Sequence, residues 1–134
     1  MVAEKHRNVF LRAGFTSARQ LRYWRPGHFS VDMQGLLSDL EEAPRDSVVI
    51  LQACGHSPTG CNPTNDEWTQ IADVMEKNHL FPFFDCYSLG LASGSTDVDA
   101  WAVRYFANRG FEFMCAQSFS ASFGLYSKYN SSVG

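Results

Sequence analysis

Two short apolar runs, separated by a helical pattern, constrain the fold of this chain more than any other feature of its sequence. Residues 47–54 (SVVILQAC) and residues 80–84 (LFPFF) are nearly continuous apolar runs, and the first is rich in β-branched residues. Such runs are typical of strands that are buried on both faces of a parallel sheet. Between them, apolar residues recur at helical spacing: Trp68, Ile71, Ala72 and Met75. This order of strand, helix and strand predicts a parallel pair joined by a helix.

Further helical patterns extend this alternation along the chain. Residues 6–13 place Val9, Phe10 and Ala13 on one face, and the pattern stops before Gly14. The other helices are predicted to begin at residues that favour a helix amino terminus: Asp32, Asn65 and Asp97.

Two more segments are predicted strands, and together the elements define a fold class. Residues 20–24 (QLRYW) precede a turn at Pro26, and residues 111–118 (FEFMCAQS) form the last strand. Strands interleaved with helices predict an α/β fold with three αβα layers and a mainly parallel sheet. The length of 134 residues suits one domain or one part of a larger domain, so we assign residues 1–134 to a single unit.

The composition and charge exclude several classes of partner. Apolar residues make up 45% of the chain and charged residues 19%, which is the balance of a globular protein. The net charge of −3 provides no basic surface for nucleic acid or for an anionic membrane. No apolar run approaches the roughly 20 residues of a membrane span, and the amino terminus does not resemble a secretory signal. We therefore expect no nucleic acid and no membrane partner.

The cysteines are predicted to be structural. Cys54, Cys61, Cys86 and Cys115 form no CxxC pair and have no clustered histidines beside them. Three of them lie in or just after predicted strands, where a cysteine packs as a small hydrophobic residue. We therefore predict that the cysteines pack in the core and bind no metal. The alternatives are a metal site and a disulfide framework. Structural thiols also indicate a reducing compartment, so a cytoplasmic location is expected.

The residues that follow the predicted strands carry most of the polar chemistry. Residues 55–60, 85–88 and 118–122 follow three successive strands. Because the carboxyl ends of parallel strands meet at one edge, we expect a histidine, a carboxylate, a phenol and several hydroxyls to converge there. Each of these residues also has a purely structural interpretation. Asp85 could cap a turn, His56 could bond to the backbone of its loop, and the serine hydroxyls could stabilise turns. A hydrolase triad is not favoured, since the sequence contains no GxSxG motif.

Longer motifs at these positions are those of a known enzyme family. They include HSPTG at 56–60, LFPFFD at 80–85, ASG at 92–94, DAWAVRYF at 99–106 and CAQSFS at 115–120. Across residues 6–126 the chain closely resembles the aspartate aminotransferase family, in particular its eukaryotic cytosolic type. The resemblance implies part of the large, cofactor-binding domain of a fold-type I aminotransferase. It also implies pyridoxal 5′-phosphate (PLP) as the cofactor, aspartate or glutamate and 2-oxo acids as substrates, and a homodimer.

The resemblance implies roles for four residues at or behind the cofactor. Asp85 matches the carboxylate that partners the pyridinium nitrogen, which makes the ring a better electron sink. His6 matches the histidine that supports this carboxylate, and His56 matches a second supporting histidine. Ser118 matches a serine that contacts the cofactor phosphate.

Several positions depart from the family pattern. Ser57 stands where the family has the asparagine that bonds the phenolic oxygen of the cofactor. The tyrosine that shares this oxygen is replaced by Ser88, and Tyr87 stands one place early. Ser57 and Tyr87 are nevertheless kept as candidate cofactor-binding residues, together with the four named above. The position of the Schiff-base lysine is Ala121, so none of the catalytic residues is expected to be intact. Two further positions differ: Ala3, where a tryptophan stacks on the ring, and Tyr129, where an arginine clamps the phosphate.

Alanine at position 121 leads to three hypotheses. Transamination needs a lysine amine both to hold the cofactor and to move the proton, and alanine does neither, so the chain is expected to be catalytically deficient. In the first hypothesis the chain is a fragment or truncated paralogue of an aspartate aminotransferase. In the second it is a pseudoenzyme that binds a full-length aminotransferase as a decoy subunit, or binds PLP or pyridoxamine phosphate (PMP) non-covalently. In the third it is a degenerate product that does not fold stably.

Overall fold

The computed structural model describes residues 4–124 and 131–133, in which helices and strands alternate along the chain. The helices are α1 (Glu4–Arg12), α2 (Met33–Glu41), α3 (Asn65–Lys77), α4 (Thr96–Asp99), α5 (Trp101–Asn108) and α6 (Ser120–Phe123). The strands are β1 (Trp24–Arg25), β2 (Ser30–Val31), β3 (Val48–Gln52), β4 (Phe81–Cys86), β5 (Met114–Ser118) and β6 (Ser131–Val133). None of the helices described is long and apolar enough to cross a membrane.

The main sheet has the strand order β3–β4–β5–β6. Strands β3, β4 and β5 run parallel to one another, and β6 is antiparallel to β5. In this register Gln52 lies opposite Asp85, and Asp85 lies opposite Ala116. The prediction of a mainly parallel sheet is therefore confirmed, and the carboxyl ends of three strands meet at one edge.

One face of this sheet packs on α3 and α5 around Phe84. Phe84 is fully buried, and its ring centroid lies 6.2 Å from that of Trp68 and 5.2 Å from that of Phe106. The predicted apolar stripe of α3 is buried in the same cluster, as are Leu36 and Leu40 of α2. Complete burial of a side chain of this size stabilises the fold by roughly 1.5–3 kcal/mol, so this face supplies most of the hydrophobic stabilisation.

The opposite face of the sheet is covered by α1. The Phe10 ring lies 5.5 Å from the Phe83 ring in an edge-to-face arrangement, and His6 contacts Asp85 one helical turn earlier. Because the side chains of β4 alternate between the two faces, Phe83 and Asp85 point away from the side that Phe84 occupies. Helices therefore lie on both faces of the sheet, and the prediction of three αβα layers is confirmed.

The predicted helix starts at Asp32 and Asn65 are confirmed. The Asp32 carboxylate accepts a hydrogen bond from the N–H of Gly35 at 3.1 Å and so caps α2. Helix α3 begins at Asn65, directly after Thr64, whose hydroxyl forms a reciprocal capping box with Glu67. Both arrangements satisfy backbone N–H groups that have no partner within the helix.

The prediction that Asp97 caps a helix is wrong. The Ser95 hydroxyl accepts a hydrogen bond from the N–H of Val98 and caps the short helix α4. Asp97 lies inside the first turn of α4, where the positive end of the helix dipole favours a carboxylate. Ala100 leaves the helical conformation with a ψ of 10°, so the predicted single helix is two helices, α4 and α5.

The predicted strand at residues 20–24 is also wrong. Strand β1 begins only at Trp24, and it pairs with β2 in a hairpin outside the main sheet. The N–H of Arg22 donates to the Asp39 carboxylate at 2.6 Å, so it does not pair with a strand. In the main sheet β5 begins at Met114, and β6 follows it, so residues 111–118 are not the last strand.

The predicted apolar face of α1 is confirmed at Phe10 and wrong at Val9 and Ala13. The Val9 side chain is 63% exposed, and Ala13 lies beyond the helix and is exposed. Helix α1 packs instead through His6 and Phe10, which are four residues apart and therefore share a face. Periodicity missed this face because histidine does not count as an apolar residue.

The cysteines are free thiols. Cys54 and Cys86 are buried in the apolar core, as the sequence predicts. The Cys86 and Cys115 sulfur atoms lie 3.3 Å apart across neighbouring strands, and burial raises the pKa of the Cys54 thiol to about 11. The part of the chain that the structure describes holds no group of three or more metal-binding side chains.

Candidate functional site

The loops that follow β3 and β4 meet at the carboxyl edge of the sheet. The N–H of Ala53 donates to the carbonyl of Asp85 at 3.4 Å. Gly55 has a φ of 59°, and a Cβ atom added to it would lie 3.0 Å from the Cβ of Ser88. Glycine therefore suits position 55 both because of the left-handed backbone and because the two loops approach closely.

Asp85 lies near the end of β4 and contacts His6 of α1. The Nε2 atom of His6 is 3.2 Å from Oδ2 of Asp85, and the two side chains are 28% and 22% exposed, respectively. The other ring nitrogen of His6, Nδ1, is buried and has no hydrogen-bond partner among the described residues. A carboxylate held by an imidazole can accept a hydrogen bond from a protonated ring nitrogen of a ligand and stabilise its charge.

His56 is buried in the loop between β3 and α3 and is only 4% exposed. Its Nδ1 atom lies 2.8 Å from the Thr59 hydroxyl, and its ring stacks on the Tyr23 ring with centroids 3.7 Å apart. Burial lowers the pKa of His56 from 6.5 to about 4, so the ring is neutral near pH 7. Its Nε2 atom is buried without a partner in the described part of the chain. The geometry places His56 as a packing group that fixes this loop.

Ser57 follows His56 and is exposed at the carboxyl edge. Its N–H donates to Oε1 of Gln52, the last residue of β3, at 2.7 Å. The Ser57 hydroxyl makes no hydrogen bond to the residues that the structure describes. The backbone of Ser57 is therefore tied to the strand opposite Asp85, while its side chain is free to contact a ligand.

Ser118 ends β5 and is half-buried. Its oxygen accepts a hydrogen bond from the N–H of Ser120 at 3.4 Å, which leaves the hydroxyl hydrogen for an acceptor on a ligand. Position 121 lies in the short helix α6 and is an alanine. The sequence contains no lysine between Lys77 and Lys128, so residues 78–127 supply no side-chain amine to this edge.

Among the described residues, the remaining predicted positions make no hydrogen bond to His6 or Asp85. Tyr87 follows β4 in a turn, is 54% exposed, and makes no hydrogen bond through its hydroxyl within the described ranges. Ser88, at the position where the resemblance expects a tyrosine, is half-buried beside Gly55. The predicted positions Ala3 and Tyr129 lie outside the described residues.

Asp99 is a buried carboxylate that the sequence did not single out, and it organises the loop after β4. It is 5% exposed, and its Oδ2 atom accepts hydrogen bonds from the N–H groups of Gly90 at 2.8 Å, Ala92 at 3.2 Å and Ser93 at 3.4 Å. Burial alone would raise the pKa of Asp99, but hydrogen bonds from the Ser93 side chain and the three backbone groups together lower it. Asp99 therefore holds residues 90–93 in one conformation.

Sequence reasoning missed three residues that shape this edge: Gln52, Tyr23 and Asp99. Gln52 carries the one usable signal, since it is a polar residue that follows an apolar run of four. The other two act through contacts that exist only after folding, such as the hydrogen bond from the Tyr23 hydroxyl to the Cys61 carbonyl at 2.8 Å.

The donors and acceptors of this edge fit part of a PLP-type cofactor. Asp85 with His6 offers an acceptor to a protonated ring nitrogen, and Ser118 offers a hydroxyl to an anionic oxygen. The part of the cofactor site that needs an amine does not fit, because position 121 is an alanine.

Comparison with known proteins gives one family along the chain. The family model described as "Aminotransferase class I and II" matches residues 4–128. The chain is 58% identical over 125 residues to the cytoplasmic aspartate aminotransferase of Gallus gallus, a match that covers 93% of this chain and 30% of that protein. It is 45% identical over 123 residues to the cytoplasmic enzyme of Caenorhabditis elegans, covering 92% and 30%. The chain therefore spans about 30% of the length of these curated relatives.

Solved structures agree with this match. An aspartate aminotransferase from Trypanosoma cruzi is 42% identical with a TM-score of 0.93, over 96% of this chain and 33% of that one. An aromatic-amino-acid aminotransferase from Burkholderia pseudomallei, covalently bound to pyridoxal phosphate, is 33% identical with a TM-score of 0.93, over 98% and 32%. The fold is that of fold-type I aminotransferases. The chain belongs to the aminotransferase class I and II family.

Proposed function

We propose that residues 1–134 form part of the large domain of an aspartate aminotransferase-like protein that binds PLP or PMP without covalent attachment. The family activity is the transfer of an amino group between aspartate or glutamate and 2-oxo acids. We propose that this chain does not carry out that transfer by itself. The observation that carries the proposal is the contact between His6 and Asp85 at the carboxyl edge of the sheet, in a chain whose sequence has an alanine at position 121.

The contact between His6 and Asp85 supports cofactor binding. When bound, PLP or PMP supplies a protonated aromatic ring that withdraws electrons from an attached carbon. The Asp85 carboxylate would accept the hydrogen bond of the ring nitrogen, and His6 would hold that carboxylate in place. Ser118 would donate its hydroxyl to a phosphate oxygen. The exposed hydroxyls of Ser57 and Tyr87 would be further ligand contacts, whereas His56 would act through the packing of its own loop.

The alanine at position 121 supports the absence of catalysis. In family chemistry a lysine amine attaches the cofactor and then moves a proton on the substrate, and a methyl group can do neither. The neighbouring hydroxyls of Ser118 and Ser120 do not replace it, because a hydroxyl cannot form an imine. Catalysis by this chain alone would therefore need an amine from elsewhere.

Titration with PMP tests this proposal, because PMP has an amine in place of the reactive aldehyde and cannot attach to lysines. Quenching of tryptophan fluorescence in the native chain is expected to be saturable. Asp85→Ala is expected to weaken PMP binding about 10- to 100-fold, which corresponds to loss of a hydrogen bond between charged groups. Asp97→Ala is the matched control, since the Asp97 side chain is 93% exposed on α4.

Two results would contradict the proposal. Equal PMP affinity of the native chain and Asp85→Ala would show that Asp85 is not the ring-nitrogen partner. Absence of binding by a native chain that gives a folded circular-dichroism spectrum would show that no cofactor pocket exists.

A second proposal concerns a partner subunit, either another copy or a full-length aminotransferase for which this chain is a decoy. Large apolar side chains are exposed at Phe29 (81%), Val98 (63%) and Phe123 (68%), and their burial against a partner would be favourable. Light scattering after size-exclusion chromatography should show a species heavier than one chain. Phe29→Ser should reduce that mass without unfolding the chain, and a monodisperse monomer would contradict the proposal.

We also propose a cytoplasmic location. The relatives from Gallus gallus and Caenorhabditis elegans are named cytoplasmic, whereas a relative from Arabidopsis thaliana that is 47% identical is named chloroplastic. The four free cysteines favour a reducing compartment over a secretory one. Subcellular fractionation with an antibody to this chain would test the location, and signal confined to an organelle would contradict it.

A further inference from the structure

Gln52 is the one polar residue of β3, and its side chain reaches the loop that follows the strand. The strand reads Val-Val-Ile-Leu-Gln, and its register places Gln52 directly opposite Asp85. The Oε1 atom of Gln52 accepts a hydrogen bond from the N–H of Ser57 at 2.7 Å. An amide at the carboxyl end of a buried strand therefore ties the loop back to the strand beside Asp85.

The loop that contains Ser57 is already closed by bonds of its own. The N–H of His56 donates to the Asn62 side chain at 3.2 Å, and the N–H of Gly60 donates to the carbonyl of His56 at 2.6 Å. The N–H of Cys61 donates to the Thr59 hydroxyl at 3.2 Å. These bonds fix the internal shape of the loop. They do not join Ser57 to the sheet, which the bond from Gln52 does.

The side chain of Ser57 is left free by this arrangement. Ser57 is exposed, and its backbone N–H is the group that Gln52 holds. A ligand contact that is oriented before binding gains affinity, because less conformational freedom is lost when the ligand arrives. Ser57 therefore presents its hydroxyl from a fixed backbone, close to the strand position that faces Asp85.

We infer that Gln52 is a positioning residue that sets Ser57 for contact with a ligand held at Asp85. This inference rests on the proposed function, in which that ligand is PLP or PMP. Gln52 itself does not touch the reacting atoms. Its effect is transmitted through the hydrogen bond to the Ser57 backbone.

Two measurements on the same set of variants test the inference. Gln52→Met keeps the length of the side chain and removes the acceptor, whereas Gln52→Glu keeps an oxygen at its end. Gln70→Met makes the same chemical change at an exposed position of α3 and serves as the control. The first measurement is the hydrogen-exchange rate of the Ser57 amide by NMR, and the second is the dissociation constant for PMP.

The two measurements should change together. Gln52→Met is expected to speed exchange of the Ser57 amide about tenfold, whereas Gln52→Glu and Gln70→Met leave it protected. Gln52→Met should also weaken PMP binding about fivefold, which is the scale of one neutral hydrogen bond, and Gln70→Met should not. The Ser57 amide should stay protected in Gln52→Glu and lose protection in Gln52→Met. A merely structural role of residue 52 would not produce this difference.

The outcomes separate this inference from the proposed function. Unchanged Ser57 exchange in Gln52→Met would overturn the inference, as would faster exchange with native PMP affinity. Either result leaves cofactor binding by Asp85 in place. Absence of PMP binding by the native chain would overturn both. If Gln52→Met does not fold, Gln52→Asn withdraws the acceptor by one methylene and gives the same two readings.

Discussion

The two faces of β4 differ in what they bury and in what they can bind. Phe84 and Cys86 point into the core under α3 and α5 and are 0% and 1% exposed. Phe83 and Asp85 point to the face under α1 and remain partly exposed. One strand thus supplies the centre of the core on one side and the main polar group of the candidate site on the other.

This separation explains how the fold can persist while the chemistry changes. Removal of the Phe84 ring opens a cavity among packed aromatic rings, whereas removal of the Asp85 carboxylate affects a group that water already reaches. Loss of one hydrogen-bonded contact between partly exposed side chains costs about 1 kcal/mol, which is less than the cost of removing a packed aromatic ring. A chain that keeps its buried face can therefore tolerate replacements at its carboxyl edge, as the pseudoenzyme proposal requires.

Substitution of Phe84 and of Asp85 should give the largest difference between the two faces of β4. Phe84→Ala should lower the free energy of unfolding by about 3–5 kcal/mol, because it leaves a cavity beside Trp68 and Phe106. Asp85→Ala should lower it by about 1 kcal/mol, because one hydrogen-bonded contact to His6 is lost. Urea denaturation followed by circular dichroism measures both. Equal losses in the two variants would mean that the two faces do not divide stability and binding in this way.

A second prediction concerns the buried polar group that supports the carboxyl edge. Asp99→Ala should cost roughly 3 kcal/mol, because it leaves three backbone N–H groups without their charged acceptor. Asp97→Ala, two positions away on the same helix and exposed, should cost less than about 0.5 kcal/mol. Thermal and urea unfolding of the two variants would show the difference, and similar stabilities would remove Asp99 from this role.

Stability should also depend on pH through His56. Because burial lowers the pKa of His56 from 6.5 to about 4, the unfolded chain binds more protons than the folded chain between these values. The contribution is absent above pH 6.5, and the free energy of unfolding falls by roughly 3 kcal/mol as the pH decreases from 6.5 to 4.

His56→Gln supplies the reference for this pH dependence. Urea titrations of both proteins at several pH values should show a smaller loss of stability in the variant between pH 6.5 and pH 4. His28→Gln makes the same chemical change at an exposed position and serves as the control. Parallel curves for the native chain and His56→Gln would contradict a buried, neutral His56.

A smaller effect is expected at Tyr23, which links the hairpin of β1 and β2 to the loop between β3 and α3. Tyr23→Phe keeps the ring that stacks on His56 and removes the hydrogen bond to the Cys61 carbonyl, so it should cost about 1 kcal/mol. The same urea assay measures it. A loss above about 3 kcal/mol would show that Tyr23 supports the structural core and does more than anchor the loop between β3 and α3.

Much of the buried face could be predicted from the sequence. The apolar runs that became β3 and β4, and the apolar spacing in α2 and α3, reflect burial, which depends mainly on local pattern. The loops after β3 and β4 could also be placed at one edge, because parallel strands share their carboxyl ends. The motif resemblance gave the family.

The other face and the loops were less predictable, for physical reasons visible in particular residues. Arg22 alternates with apolar neighbours as in a strand, but its N–H bonds the distant Asp39 carboxylate. His6 forms the packed face of α1 although it is polar. The bond between Gln52 and Ser57 depends on how the loop turns, which spacing in the sequence does not specify.

Borohydride trapping would show whether this chain holds the cofactor without attaching it. Native chain and Ala121→Lys are each incubated with PLP, reduced with borohydride, digested and examined by mass spectrometry. In Ala121→Lys, PLP is expected to be linked to residue 121. In the native chain, dialysis should remove the bound PLP. Any adduct trapped on its lysines should form to the same extent in the presence of excess PMP. A PMP-sensitive adduct on a lysine of the native chain would contradict non-covalent binding, because that lysine would then supply the amine that position 121 lacks.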